Sequence, residues 1–332
     1  MANLNSFSNC TIHNLYVFCL FFFCYIFSSL SQADDSSSLG SCGDTQFKNY
    51  HSISAVQGPR FISPLLDQWV VVEGIVTLDK TKEYQGFWLQ QETSPFVNKG
   101  SIESHSLGIF VFHKQAKVKR GQRVRLLAQV AEYHNLTELK RVKGLRVCAS
   151  NQPVPAAVPL TLPVKSLAEL EALEGMQVVI NQPLLVSDLF GAGYGLGNYG
   201  QFAVSSRLHF QPTELFTTEA LRSGAAPVID KKLDYLLVDD GHSAAFPKFI
   251  PFPNSAGFST NNFLRIGDGV NKVSGLLHSY DEHYILIPDS ESRPESKFKS
   301  KVKIEPQGRV KQPTISKQAN LVIARMNLQN YF

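Results

Sequence analysis

The chain has 332 residues, of which 43% are hydrophobic and 18% are charged. This globular composition excludes a chain that is disordered throughout, and the length predicts two domains. The formal net charge of +4 is too small to identify a partner by itself, because the partner depends on where the charges cluster.

The first 33 residues have the pattern of an export signal. They contain no charged side chain, and residues 15–30 are almost continuously apolar. This stretch is shorter than the roughly 20 residues that a membrane-spanning helix needs, and Ser31 and Ala33 place small residues where a signal peptidase cuts. We therefore expect a secreted or periplasmic protein with a signal peptide at 1–33 and a spacer at 34–41. Because little positive charge precedes the apolar stretch, an uncleaved membrane anchor is the alternative.

The cysteines agree with export. Three of the five lie inside the signal, which leaves Cys42 and Cys148 in the mature chain. Two cysteines in an oxidising compartment predict one disulfide, and closing a loop of about 100 residues contributes on the order of 4 kcal/mol in the chain-entropy description. Two buried free thiols are the alternative.

Residues 42–150 predict a small antiparallel β-barrel of the OB type. Short β-branched or aromatic runs are separated by turn residues at 70–76, 86–90, 108–112, 123–130 and 138–147. About five such strands is the count of an OB-like barrel.

The pattern then repeats at 166–288. Residues 173–179 parallel 66–72, residues 199–204 parallel 84–89, and residues 264–270 parallel 118–124. The last pair aligns Gly121 with Gly267, each before a long strand, as expected for a turn that needs positive φ. We therefore expect a mainly β fold of two tandem OB-like barrels, the second with a long insertion at 211–253. Residues 232–241 predict a strand that enters an acidic turn.

The remaining segments read as connectors. Residues 151–165 are Pro-rich, and residues 166–174 predict a helix with Ser166 as its N-cap. Apolar periodicity disappears after 288, so residues 289–319 predict a disordered basic linker.

Basic residues of the first module suggest a nucleic-acid surface. In an OB barrel such cations lie beside aromatic side chains, where phosphates and bases can be bound. The candidate contacts are Lys119, Arg120, Arg123, Arg125, Lys140, Arg141, Phe87, Trp88 and Tyr133. The alternative is a solvated basic face with the aromatic residues in the core, so weak binding of DNA or RNA is a hypothesis.

No cofactor or metal site is predicted from residue spacing. Asp239 and Asp240 are adjacent, which favours a turn over metal ligation, and the histidines are scattered without ligand spacing.

Several short motifs, in order, resemble the N-terminal region of secreted bacterial endonucleases of the endonuclease/exonuclease/phosphatase superfamily. They lie at 63–65, 71–76, 86–90, 108–111, 170–176, 197–201, 210–213, 237–241 and 264–268. Residues 320–332 resemble the first strand of that superfamily's catalytic domain, and Asn327 matches an Asn that helps to hold its metal and phosphate.

The resemblance implies a chain that carries almost none of the catalytic domain. The full-length family uses a divalent metal such as Mg²⁺ or Ca²⁺, and its remaining catalytic residues have no match here. We therefore expect a non-catalytic region, inactive alone, that binds nucleic acid or docks the missing catalytic domain, with no membrane partner unless the signal is uncleaved. The alternative is a free-standing secreted OB module that binds nucleic acid or another partner and has no nuclease role.

Overall fold

A computed structural model describes residues 36–92, 105–190, 195–226, 230–288, 302–306, 318, 320 and 321. The predicted signal peptide and Asn327 lie outside these residues. In chain order the strands are β1 Trp69–Lys80, β2 Gly86–Gln90, β3 Gly108–Phe112, β4 Arg123–Tyr133, β5 Leu136–Ala149, β6 Val158–Pro159, β7 Gln177–Asp188, β8 Phe202–Ser205, β9 Leu236–Val238, β10 Gly269–Tyr280, β11 His283–Pro288 and β12 Lys303–Glu305.

Short helices connect these strands. They span Ser36–Leu39, Ile53–Gln57, Leu167–Glu171, Leu196–Tyr199, Pro212–Leu215 and Thr218–Arg222, and a 3-10 helix spans Lys231–Asp234. Ser52 caps the second of these helices, because its Oγ accepts a hydrogen bond from the Ala55 N–H at 3.1 Å. Ser166 occupies the N-cap position of the Leu167–Glu171 helix, as predicted, but its side chain makes no capping bond.

The first barrel consists of β1 to β5, closed in the order β1-β2-β3-β5-β4. Strands β3 and β5 are parallel, and the other neighbours are antiparallel. Alternating apolar side chains such as Val70, Val72 and Phe87 fill its core. The closed five-stranded barrel confirms the predicted OB-like fold.

The second barrel, β7 to β11, has the same strand order. It runs β7-β8-β9-β11-β10, and β10 pairs back onto β7 to close the ring. Again the third and fifth strands, β9 and β11, are parallel. Strand β6 adds to β7 in parallel and β12 adds to β10 antiparallel. The mainly β, two-barrel prediction is therefore confirmed.

Backbone hydrogen bonds show how closely the two barrels repeat. The Gly121 N–H donates to the Val76 carbonyl at 2.9 Å, and the Gly267 N–H donates to the Val186 carbonyl at 2.8 Å. The two glycines have φ of 80° and 91°, as the turn prediction required. They occupy the same position, one turn before β4 and before β10.

The side chain after each glycine repeats as well. Gln122 Oε1 accepts the Lys119 N–H at 2.8 Å, and Asp268 Oδ2 accepts the Arg265 N–H at 2.9 Å. Each bond closes the turn that leads into the fourth strand of its barrel, so two different residues perform one structural task.

A β-bulge also recurs. The register of β1 on β2 shifts between Val76 and Leu78, and the register of β7 on β8 shifts between Val186 and Asp188. A bulge increases the local bend and twist of a strand, which helps a sheet to close. Both barrels therefore curl at the same place.

The connections around β9 differ from the sequence prediction. Of the predicted 232–241 strand, only Leu236–Val238 pairs in the sheet, and it follows the 3-10 helix Lys231–Asp234. Strand β9 lies inside the expected insertion, because the barrel needs it as a third strand. The inserted residues thus form two separate connections, one between β8 and β9 at 206–235 and one between β9 and β10 at 239–268.

The described part of the predicted linker is also partly ordered. Strand β12, Lys303–Glu305, pairs with β10, and Val302 beside it is buried. This short segment is an edge strand, in contrast to the expectation of disorder throughout 289–319.

The predicted disulfide between Cys42 and Cys148 is present, with Cα atoms 5.8 Å apart. It joins the segment before the first barrel to the end of β5. The segment 39–50 is thereby held against the outside of β1 and β4.

The backbones of the two barrels lie very close together at two glycines, Gly108 and Gly175. A Cβ added to Gly175 would lie 2.8 Å from the backbone carbonyl carbon of Gly108, and Gly175 has a φ of 71°. The Gly175 N–H also donates to the Leu277 carbonyl at 2.7 Å. Neither position has room for a side chain, since the opposing atoms belong to the backbone.

We expect Gly108→Ala to lower the free energy of unfolding by about 1–3 kcal/mol, because the new methyl group overlaps the Gly175 backbone. This corresponds to a decrease in Tm of about 2–4 °C for each kcal/mol. Gly197→Ala is the matched control, since a Cβ there meets nothing within 4 Å. Thermal melts in which the two variants behave alike would contradict the proposed contact.

Candidate binding site between the barrels

The outer faces of the two barrels pack against each other. We call this contact the junction. Its buried members are Trp88, Phe110, Leu136, Ala203, Leu237, Leu276, Ile285 and Ile287. In OB folds the face formed by the second and third strands, with its flanking loops, binds oligonucleotides or oligosaccharides. Here that face is covered in both barrels.

Two pairs of equivalent positions contribute to the junction. Trp88 lies opposite Phe110 in the register of β2 and β3, and Ala203 lies opposite Leu237 in the register of β8 and β9. The large Trp88 therefore has the small Ala203 as its counterpart in the repeat. This difference in size lets two similar faces share one core.

Burial corrects the prediction for two aromatic residues. Phe87 is 0% exposed in the core of the first barrel, and Trp88 is 0% exposed in the junction. Neither ring can stack on a nucleobase, so these two predicted contacts are wrong. The alternation along β2 sends one ring inward and the next outward, but the cover over the outward ring comes from the other barrel.

Arg125 is also wrong as a nucleic-acid contact, because it is 0% exposed. Its Nε donates to the Leu39 carbonyl at 2.6 Å and its Nη2 donates to the Asp44 carbonyl at 2.8 Å. Its Nη1 pairs with the Glu73 carboxylate at 3.0 Å. The guanidinium thus holds the N-terminal segment that the disulfide fastens over β4.

The other predicted cations remain accessible. Lys119, Arg120 and Arg141 are exposed, and Arg123 is partly exposed with its Nε 3.5 Å from Glu73 Oε1. Exposed Lys143 lies over the Trp69 ring, 3.8 Å from its centroid. We call the set Lys119, Arg120, Arg123, Arg141 and Lys143 the basic face.

Charge is divided between the barrels. Residues 42–150 contain fifteen Lys and Arg against nine Asp and Glu, whereas residues 166–288 contain seven against thirteen. The small net charge of the whole chain therefore conceals a basic and an acidic half. Composition alone could not show this, but counting by module could.

A cleft of about 630 Å³ opens beside the junction, and we call it the interbarrel cleft. This volume is in the range of small-molecule sites. Its aromatic lining comes from both barrels: Tyr84, Phe110, Phe112, Tyr133, Tyr199 and Tyr280. Its polar lining includes Lys140, Glu83, Glu138, Gln201, His242, His278 and His283. Of the predicted site residues, the structure brings Tyr133 and Lys140 together here.

Asp239 ties the barrels together behind the cleft. Its carboxylate accepts hydrogen bonds from the Tyr84 hydroxyl at 2.9 Å, the Gln201 Nε2 at 2.5 Å and the Gly241 N–H at 2.6 Å. The neighbouring Asp240 accepts the His242 N–H at 2.9 Å. The acidic pair therefore forms a turn, and burial followed by the charge of Asp239 raises the pKa of Asp240 to about 7.

Glu174 is the buried acid at the centre of the contact between barrels. Its Oε1 accepts the Thr137 N–H at 3.3 Å, and its Oε2 lies 2.5 Å from the Ser279 Oγ. That hydroxyl is also 3.2 Å from the Asn135 carbonyl oxygen. Because a hydroxyl donates only one hydrogen, a protonated Glu174 that donates to Ser279 satisfies both contacts.

The surroundings of Glu174 also shift its pKa. Burial, followed by repulsion from Glu171, raises the pKa of Glu174 well above its usual value. Burial likewise raises the pKa of Glu171 to about 7. The sequence analysis missed both residues, since a glutamate in the helical 166–174 segment looks like an ordinary surface residue.

These shifts determine the pH dependence of stability. Carboxyls whose pKa is raised by folding hold more protons in the native state, so their contribution is lost as pH rises from about 4.5 through the folded pKa. Burial lowers the pKa of His278 to about 3, which acts in the opposite sense below pH 6.5. Among Glu171, Glu174, Asp240 and His278, only the three carboxyl groups therefore change the free energy of unfolding above pH 6.5.

We expect the free energy of unfolding to fall between pH 6.5 and 8.5, and Glu174→Gln to make that fall shallower by up to about 1.4 kcal/mol per pH unit. Gln keeps the shape and cannot ionise. Urea titrations across this range test the prediction, with Glu169→Gln as the control at a partly exposed position of the preceding helix. A wild-type slope that Glu174→Gln leaves unchanged would show that Glu174 does not titrate in this window.

The described residues lack two further features. They contain no group of three or more His, Cys, Asp or Glu side chains placed to hold a metal ion. Within the same part of the chain, no helix has the length and apolar character needed to cross a membrane.

Comparison with known proteins gives no assignment. No protein-family model, curated protein or solved structure matches this chain.

Proposed function

We propose that this chain is a non-catalytic, exported region that binds nucleic acid through the basic face of its first barrel. The observation that carries the proposal is the concentration of accessible cations on one barrel while the other is acidic. Cation clusters of this kind bind phosphates without regard to base sequence. The disulfide supports export, because such bonds persist in oxidising compartments.

The basic face has the length of a short stretch of nucleic acid. Arg123 is near the start of β4, and Arg141 donates from its Nη1 to the Gln129 Oε1 at 3.1 Å further along the same strand. Six residues of extended strand separate Arg123 from Gln129, or about 20 Å. This equals the axial rise of about six phosphates on one strand of a duplex.

The resemblance to secreted endonucleases supplies a context for such binding. A basic region that precedes a catalytic domain would keep polymeric substrate near it, and the acidic second barrel would repel the same polymer. Docking of the catalytic domain is part of this proposal, and it rests on the resemblance alone.

We expect weak, salt-dependent binding of DNA that falls when Lys119, Arg120, Arg141 and Lys143 are changed together to Gln. Removing four phosphate contacts should lower the slope of log K against log salt by about 3 to 4. Fluorescence anisotropy at several salt concentrations measures this slope. The matched control changes four exposed cations outside the first barrel, Lys165, Arg207, Arg222 and Lys248, to Gln.

Comparable losses in the two quadruple variants would mean that net charge alone governs binding. Unchanged binding in the first variant would reject the basic face. Circular dichroism on both proteins checks that the fold is retained.

We also expect no cleavage of plasmid or single-stranded DNA by this chain in Mg²⁺, Mn²⁺ or Ca²⁺. Metal-dependent phosphodiester hydrolysis requires several oxygen ligands and a proton-transfer group, and Asn327 alone matches the family pattern. Protein from a host without secreted nucleases is assayed on agarose gels. Cleavage that disappears in Asp239→Asn would show that the chain is itself an enzyme.

A further inference from the structure

We propose that the interbarrel cleft binds one unstacked nucleobase, with the attached phosphate on Lys140. This inference rests on the proposed function and names the part of the ligand that the cleft receives. It differs from the basic face, which contacts phosphates only.

The cleft lies where loops of both barrels meet. Tyr84 in the β1–β2 loop and Tyr133 at the end of β4 line it from the first barrel, while Tyr199 and Tyr280 line it from the second. The strand registers make Tyr84 equivalent to Tyr199 and Tyr133 equivalent to Tyr280. These are the loops that bind ligands in OB folds, and here both barrels direct them to one space.

The rings at the rim of the cleft form an exposed aromatic surface. Tyr133 is 52% exposed, and its ring lies 6.4 Å from that of Tyr280. His134 stacks on Tyr280 with ring centroids 4.7 Å apart. Exposed aromatic rings at the rim of a cleft are the platforms on which unstacked bases are bound, because every base has a π-face.

Two residues that line the cleft have polar atoms without hydrogen-bond partners in the described part of the chain. His278 and Gln201 are 5% and 8% exposed, and the His278 Nδ1 and Gln201 Oε1 have no hydrogen-bond partner among the described residues. Buried polar atoms without partners are costly. Both atoms lie just behind the cleft surface, so a bound heterocycle pairs with them only after a change of side-chain rotamer, and such pairing would remove this cost.

The charges in the lining determine how the ligand is oriented. Glu83 and Glu138 disfavour an anion deep in the cleft, but they can accept hydrogen bonds from amino or imino groups of a base. Lys140 lies opposite Gln129 in the β4–β5 ladder and precedes Arg141 of the basic face. A strand bound on that face therefore reaches the cleft with a phosphate at Lys140 and a base beyond it.

The chain offers a direct spectroscopic test. It has two tryptophans, Trp69 and Trp88. In a Trp69→Phe background, Trp88 becomes the reporter, since its ring contacts the lining residues Tyr84, Phe110 and His278 at centroid distances of 5.7, 4.7 and 5.3 Å. The probes are an oligothymidylate, an oligonucleotide of equal length with abasic sites, thymidine monophosphate and cellohexaose.

We expect oligothymidylate to bind about 5- to 150-fold more tightly than the abasic strand and to change Trp88 fluorescence, since stacking of one base contributes this factor. Tyr133→Ala should remove the difference, and Tyr133→Phe should keep it. Phe258→Ala, at an exposed ring outside the cleft, should also keep it. Lys140→Gln should weaken both strands, because both carry the phosphate.

The remaining outcomes separate the two proposals. Equal binding of the two strands would overturn the cleft assignment while leaving the basic face intact. If neither strand binds, the proposed function fails, and saturable quenching by thymidine monophosphate that Tyr133→Ala abolishes would still support the cleft. If neither strand binds and thymidine monophosphate causes no quenching, the inference is overturned. Quenching by cellohexaose without quenching by the mononucleotide would also overturn it.

Discussion

The rest of the structure depends on the close contact of two backbones at Gly108 and Gly175. Without Cβ atoms, the two barrels approach until their outer faces exclude water, and the buried junction forms around Trp88. The same approach buries Glu174, which raises its pKa and places its carboxyl group against the hydroxyl of Ser279. Stability, pH response and the shape of the interbarrel cleft thus have a common origin.

This packing changes what each barrel can do. A single OB barrel offers its second and third strands to a ligand, but here those strands are used to join the modules. What stays open is the set of loops at one edge, together with the outer surface of β4 and β5. The chain therefore presents two chemically different surfaces, since one carries positive charge and one recess carries aromatic rings.

Much of the fold follows from sequence. The β-branched and aromatic runs predict all five strands of the first barrel, and Gly121 and Gly267 mark equivalent turns because few other residues adopt positive φ. Two cysteines outside the predicted export signal predict the disulfide. Such features are local or depend on simple counting.

The candidate site could be predicted only in part. Tyr133 and Lys140 were named, but nothing local to Arg125 shows that the carbonyls of Leu39 and Asp44 satisfy it. The cover over Trp88 arises from residues more than one hundred positions away. Tertiary contacts of this kind decide whether a cation or an aromatic ring is a ligand contact or part of the core.

The recurrence of one bulge and one turn in both barrels has a further consequence. Two junction positions on each barrel, Trp88 and Phe110 on the first and Ala203 and Leu237 on the second, are equivalent, as in part of a symmetric homodimer interface, but both copies belong to a single polypeptide. In a true homodimer, mutation must change both sides of the interface at once. In this chain each half can vary independently, so one copy keeps Trp88 while the other has Ala203, and one carries excess positive charge while the other carries negative charge. Covalent linkage thus lets the two copies of a repeated fold diverge at the positions where they meet.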